Sequence, residues 1–152
     1  MKNEKGFSLV ELLIVVAIIA IIAAIAVPSL LTARMASNEA SAIQGLRTIG
    51  SAEIAYAATQ NQQFTDLTVL VSGLFLDARF SGTGYINGYT YVSGDVPVVT
   101  SDGATPTSFG FLANANTGMG RYQYAIAPDQ VVRFGSPKPG FATAGDPIGK
   151  ST

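Results

Sequence analysis

The run from Phe7 to Leu31 most constrains this chain. It is apolar almost throughout, follows a short leader, Met1 to Gly6, that carries Lys2 and Lys5, and holds a single charge, Glu11. From Leu12 to Ala33 there is no charge at all. At ~1.5 Å per residue that stretch is about 33 Å long as a helix, enough to cross a bilayer. A carboxylate at membrane depth costs roughly 2.5–3.5 kcal/mol on insertion scales, so Glu11 is expected to have a partner. The folding of an isolated helix is not expected to call for it. Lys2 and Lys5 would sit at the cytoplasmic edge and reach toward lipid phosphates. An α-amino group freed by cleavage after Gly6, on the same chain or better on a neighbour, is the remaining candidate.

The basic leader, Gly6, Phe7 and Glu11 four residues further on resemble the class III signal of the type IV pilin and pseudopilin superfamily, over about the first 30 residues. The resemblance implies that a membrane-bound prepilin peptidase cuts between Gly6 and Phe7 and N-methylates Phe7. It implies that Glu11 pairs with the Phe7 amine of an adjacent subunit during assembly. Pro28 falls where the family commonly has a helix-kinking proline, whereas Ala20 stands where a helix-weakening glycine is often found. Two plainer readings compete. Ala24-Ile25-Ala26 has the small-x-small form of an ordinary secretory cleavage site, but Glu11 would then lie inside the apolar region of the signal. An uncut single-pass anchor fits the length and leaves Glu11 unexplained.

At 152 residues, the chain has room for this segment and one small domain of about 90 residues. Its formal charge is −1, with no clustering of Lys and Arg to suggest a nucleic-acid surface. Cysteine and histidine are absent, which excludes disulfides, thiol nucleophiles, Cys/His zinc sites and imidazole acid–base chemistry.

Four regions are expected: a leader, 1–6, removed on processing; an apolar membrane and assembly helix, 7–31; an amphipathic continuation, 32–60; and a globular head, 61–152. Leu31, Met35, Ala42, Leu46, Ile49 and Tyr56 recur at steps of three, four or seven and mark an apolar stripe, with Arg34, Asn38, Glu39, Gln44, Arg47 and Glu53 mostly off it. Pro28 should bend the helix near Ala24 to Val27. Asn61 to Phe64 should break it, and Thr65-Asp66 should cap a short helix through Val71 that Gly73 ends. Leu74, Phe75, Leu76 and Phe80 are expected to pin this connector to the core, with Ser81 to Gly84 as a flexible tip.

Beyond it the period becomes two. Gly88–Val92, Ser108–Leu112, Arg121–Ala127 and Val131–Phe134 read as strands, the last two joined by a turn at Pro128-Asp129-Gln130. Strands in close succession favour antiparallel pairing. The expected fold class is therefore α+β, a long N-terminal helix packed on an antiparallel sheet of about four strands. This agrees with the head that the pilin resemblance implies. The tail, Gly135 to Thr152, carries three prolines and four glycines and should lack regular structure, either packing through Phe141 and Ile148 or staying mobile.

No enzymatic site is expected. Without His there is no ordinary triad, and Lys138 and Lys150 sit in the Pro/Gly-rich tail rather than in a Ser-x-x-Lys helix. Asp95, Asp102, Asp129 and Asp146 are scattered, whereas calcium needs about 6–8 oxygen ligands, so neither metal nor cofactor is expected. Only Phe7 and Tyr56 are aromatic within the long helix, too sparse for a ring stack along a filament.

The expected function is structural: a pilin whose helical homopolymer serves adhesion, motility or DNA uptake. A pseudopilin of a type II secretion system and a monomeric membrane-anchored binding domain are the alternatives. By resemblance, its partners are copies of itself, the prepilin peptidase, an assembly ATPase and an inner-membrane platform protein. The precursor is expected in the cytoplasmic membrane with its head outside, then in a surface pilus or a periplasmic pseudopilus.

Overall fold

A computed structural model describes residues 6–81, 84–93, 109–135 and 146–147. The chain divides into two compact units, Met1–Arg34 and Met35–Thr152. The first is helical from Leu9 onward, the opening part of α1, Leu9–Thr59. From Leu9 to Leu31 its large apolar side chains are exposed all round. By length and composition the helix is able to cross a membrane.

The second unit is an α+β head. The later part of α1 is followed by α2, Leu67–Ser72, and a 3₁₀ turn, Ala78–Phe80. Four strands follow: β1, Tyr89–Ser93; β2, Phe111–Ala115; β3, Gln123–Ile126; and β4, Val132–Gly135. They form an antiparallel meander, each pairing with the next. Two residues of the tail, Asp146–Pro147, pair with β4 as β5, so the tail is not wholly irregular as expected. Phe141 and Ile148 lie outside the described residues, as do Asp95 and Asp102.

Alternation places Tyr89, Tyr91, Phe111, Ala113, Tyr124, Ile126 and Val132 in one core with Ala42, Leu46, Ile49 and Ala52 of α1. Leu112, Ala125 and Ala127 form a second, smaller cluster. Two helix glycines set the spacing. A Cβ at Gly45 would lie 2.2 Å from the Tyr91 hydroxyl, and one at Gly50 would lie 2.9 Å from Ile126 Cδ1.

α1 ends where Asn61 and Gln62 take positive φ, and the Gln62 amide donates back to the Ala57 carbonyl. Asp66 caps α2 by accepting from the Val69 amide, and Gly73 closes it, both as expected. Leu76 and Phe80 are buried and Phe75 packs at the edge of the core. Leu74 is 92% exposed in a left-handed conformation, so it does not pin the connector. β2 begins three residues later than expected, because Thr90 pairs with Asn114 and Tyr89 with Ala115. Asn87 and Gly88, both at positive φ, form the tight turn that leads into β1.

The polar face of α1 needs the largest correction. Glu39 and Glu53, expected mostly off the stripe, are 6% and 0% exposed. Positions 35, 39, 42, 46, 49, 53 and 56 follow steps of four and three, which puts both glutamates on the buried face.

Glu39 is answered by Arg121, just before β3. The Arg121 amide donates to Oε1 at 2.7 Å and the guanidinium reaches both carboxylate oxygens, at 3.2 and 2.9 Å. Burial alone would raise this carboxyl; the Arg121 hydrogen bonds outweigh it and hold the group below its ordinary value. The pair therefore stabilises the head above the ordinary glutamate pKa of 4.5 and is lost as pH falls through the folded value. Arg121→Ala removes the guanidinium and leaves Glu39 the backbone amide at position 121 and the Tyr124 hydroxyl. It is expected to lower stability near pH 7 in urea unfolding followed by tyrosine fluorescence, with a smaller loss in acid.

Among the described residues no cation pairs with Glu53. Its two oxygens share one donor, the Thr65 amide, at 3.4 and 3.3 Å. Burial pushes its pKa up to about 7, with Asp66 adding to the rise and the Thr65 amide opposing it. A folded value above the unfolded 4.5 means that the head binds the extra proton. This contribution is fully present below pH 4.5 and is lost as pH rises to about 7. Glu53→Gln is expected to flatten that slope and to raise stability at pH 8 by roughly 2–3 kcal/mol relative to the parent chain, as read by urea unfolding across pH. An unchanged slope would mean that Glu53 does not titrate in this window.

Candidate functional site

The residues singled out in the sequence lie at the start of the described chain. Gly6 is exposed, and a Cβ there would meet nothing within 4 Å. The fold itself places no steric demand for glycine at this position. Phe7 is 86% exposed.

Ser8 and Glu11 close a reciprocal capping box at the start of α1. The Ser8 amide donates to Glu11 Oε2 at 2.9 Å, and the Glu11 amide donates to Ser8 Oγ at 3.2 Å. This corrects the expectation that helix folding has no use for Glu11. The first amides of a helix lack intrahelical acceptors, and the pair supplies partners to two amides at this end. The signal was legible as Ser8-Leu9-Val10-Glu11, the S-x-x-E form of the box. One carboxylate oxygen, Oε1, stays without a hydrogen-bond partner among the described residues.

Pro28 lies inside α1, which continues through it. Having no N–H, it leaves the Ala24 carbonyl without its usual donor. One turn later the Thr32 hydroxyl folds back onto the Ser29 and Pro28 carbonyls, at 2.8 and 3.3 Å. The structure thus brings Ser8 and Glu11 together, leaves Gly6 and Phe7 accessible, and sets Pro28 nearly five turns further along the same helix.

Residues 1–27 match the prokaryotic N-terminal methylation motif. The chain carries the class III signal of type IV pilins and pseudopilins. Among curated proteins nothing matches the chain. The motif and the apolar helix fit a membrane-anchored precursor of a structural, pilin-type protein, and the motif implies processing by a prepilin peptidase and assembly into a filament.

In the head, the described residues contain no group of three or more Asp, Glu, His or Cys placed to hold a metal ion. Asp129, one of the acids weighed for calcium, is engaged by Arg133. The guanidinium Nη1 donates to Oδ1 at 3.1 Å and Nη2 donates to Oδ2. Those hydrogen bonds hold the Asp129 carboxyl below its ordinary value, against a smaller effect of burial.

Proposed function

We propose that the chain is a pilin precursor, cut between Gly6 and Phe7, N-methylated at Phe7 and polymerised into a type IV pilus. The observation that carries the reading is the methylation motif over residues 1–27 joined to a helix whose apolar side chains are exposed on every face. Such a helix requires lipid before assembly and other helices after it. Methylation keeps the charge of the new amine, so a neighbour's Phe7 can neutralise Glu11 as a subunit leaves the membrane. The free Oε1 is the atom to which that amine would donate, while Oε2 keeps the Ser8 amide. Pro28, which removes one backbone hydrogen bond from the apolar helix, is the other residue assigned to assembly.

The pilus is preferred to a secretion pseudopilus on the length of the chain and its Ser/Thr/Gly-rich stretch over 100–107, which suit a subunit facing the medium. An assembly ATPase and a platform protein in the cytoplasmic membrane are the remaining partners of such a filament. The test is mechanical shearing of intact cells followed by quantification of the chain. Enrichment in the sheared surface fraction supports a pilus; retention in the cell envelope overturns it in favour of a pseudopilus or a monomeric anchored domain.

A further inference from the structure

Leu74 is 92% exposed, more than any other large apolar side chain among the described residues. It follows Gly73 at the end of α2 with a φ of 61°, the left-handed position that glycine usually fills at a helix end. The Phe75 amide donates to the Leu70 carbonyl across it, which fixes the turn. Glycine would adopt this conformation without strain, and so exposed a leucine gains no packing within the chain to offset it. A strained apolar side chain held out by a hydrogen-bonded turn calls for a contact outside its own chain.

A depression of about 630 Å³ lies elsewhere on the head, where α1 ends. Its apolar lining is Ile54, Ala57, Ala58 and Phe64, and Ile54 is half-exposed. Tyr56 stands about 200° around α1 from both Ile54 and Ala58. The Phe75 ring meets that tyrosine edge to face at 5.4 Å, so the turn that carries Leu74 is on the opposite side of the helix from the depression. The leucine therefore does not fill the depression of its own chain.

Charge follows the same division. Arg47, seven residues before Ile54 and so on the same face of α1, is exposed and forms no ion pair among the described residues. From 47 to 59 the helix has no exposed acid, since Glu53 is buried. The connector from 66 to 81 carries Asp66 and Asp77 against Arg79, and the Asp77 side chain is well exposed, 3.8 Å from that guanidinium.

We propose that Leu74 of one copy seats in the Ile54, Ala58 and Phe64 depression of the next, with Asp77 brought toward Arg47 across the contact. This rests on the filament reading above and names a contact made by the heads. Leucine and depression are different surfaces, so each added copy leaves one of each free, and such a contact propagates instead of closing into a dimer. The leucine excludes water at the centre, while the opposed charges at the rim fix the register.

The chain has no cysteine, which makes disulfide trapping specific. Filaments of the full chain carrying Ala58→Cys together with Leu74→Cys are sheared from cells, oxidised and separated without reductant. A ladder of multimers is expected from the double variant, and monomer alone from each single variant. Leu74→Gly supplies the second measurement. Glycine suits the left-handed turn, so stability in urea should be unchanged or raised while the yield of sheared filament falls about tenfold. Filaments of the double variant without a ladder, disulfide dimers from Leu74→Cys alone, or undiminished filament from Leu74→Gly would overturn the contact. Absence of sheared filaments from the parent chain would overturn the filament reading itself, and the contact with it.

Discussion

Gly6→Val is expected to accumulate in the membrane at full length, with essentially no mature chain. In the folded chain a side chain at position 6 meets nothing, so the substitution leaves the helix and the head as they are. Any effect must come from an enzyme that reads the backbone beside the scissile bond, where a branched side chain obstructs close approach. The comparison is made by immunoblot of membrane fractions, with tyrosine fluorescence of the head as the folding control. All six tyrosines lie between positions 56 and 124 and so report on that unit. Normal maturation of Gly6→Val would remove the proposed cleavage site. A misfolded head would show that the open space around Gly6 had been misjudged.

Glu11 separates into two roles that different substitutions distinguish. Its carboxylate caps α1, and in the proposed filament it also carries the charge that an incoming amine must meet. Glu11→Ala removes both roles. Glu11→Gln keeps a side-chain oxygen able to accept from the Ser8 amide, as Gln does in capping boxes, and removes only the charge. Leaving one member of a buried pair without its partner costs roughly 3–5 kcal/mol, which at 1.4 kcal/mol per decade is a loss of about two to three and a half decades in the affinity of each added subunit. Both variants are therefore expected to be cleaved and inserted normally while yielding almost no filament by shearing and electron microscopy. Wild-type filament levels from Glu11→Gln would show that Glu11 acts through the helix cap alone. Loss of insertion in Glu11→Ala but not in Glu11→Gln would show that the cap is needed earlier, in the membrane.

Much of the fold was legible because local chemistry and tertiary packing agree. Asp66 and Gly73 bound α2 as their residue types require, and the period of two around Tyr89, Phe111 and Tyr124 became strands with those side chains on the helix. Where reasoning by residue type failed, spacing held the answer. Glu39 and Glu53, expected mostly off the apolar stripe, lie on it, since steps of three and four from Met35 to Tyr56 run through both. Arg121, the partner that makes Glu39 tolerable, is 82 residues away in the chain, a pairing that no local pattern encodes. Among the described residues Glu53 has one donor, a backbone amide in the connector, which no side-chain pattern marks.

At the amino terminus, the signal was legible from the leader, Gly6, Phe7 and Glu11. The capping role of Glu11 is also written in the sequence, as Ser8 three residues before it, even though a carboxylate is costly in lipid. The period of two over Ser108–Leu112 marks a strand but not its end, and cross-strand pairing with β1 carries β2 through Ala115. Leu74 is apolar, yet its positive φ just after the α2 cap turns it to solvent.

The two buried glutamates give the head opposing responses to pH. The Glu39–Arg121 pair weakens on acidification, and Glu53 destabilises the head as it ionises toward pH 7. Stability is accordingly expected to be greatest near the ordinary glutamate pKa and to decline on either side.

The most direct measurement is the intact mass and amino-terminal sequence of the chain recovered both from membranes and from sheared surface material. Processing and assembly as proposed predict N-methyl-Phe7 as the first residue in the sheared fraction. A chain that starts at Met1 would be a simple anchor, and one that starts at Val27 a secreted soluble domain. Either result would contradict the proposed cleavage, and with it the filament role of Glu11.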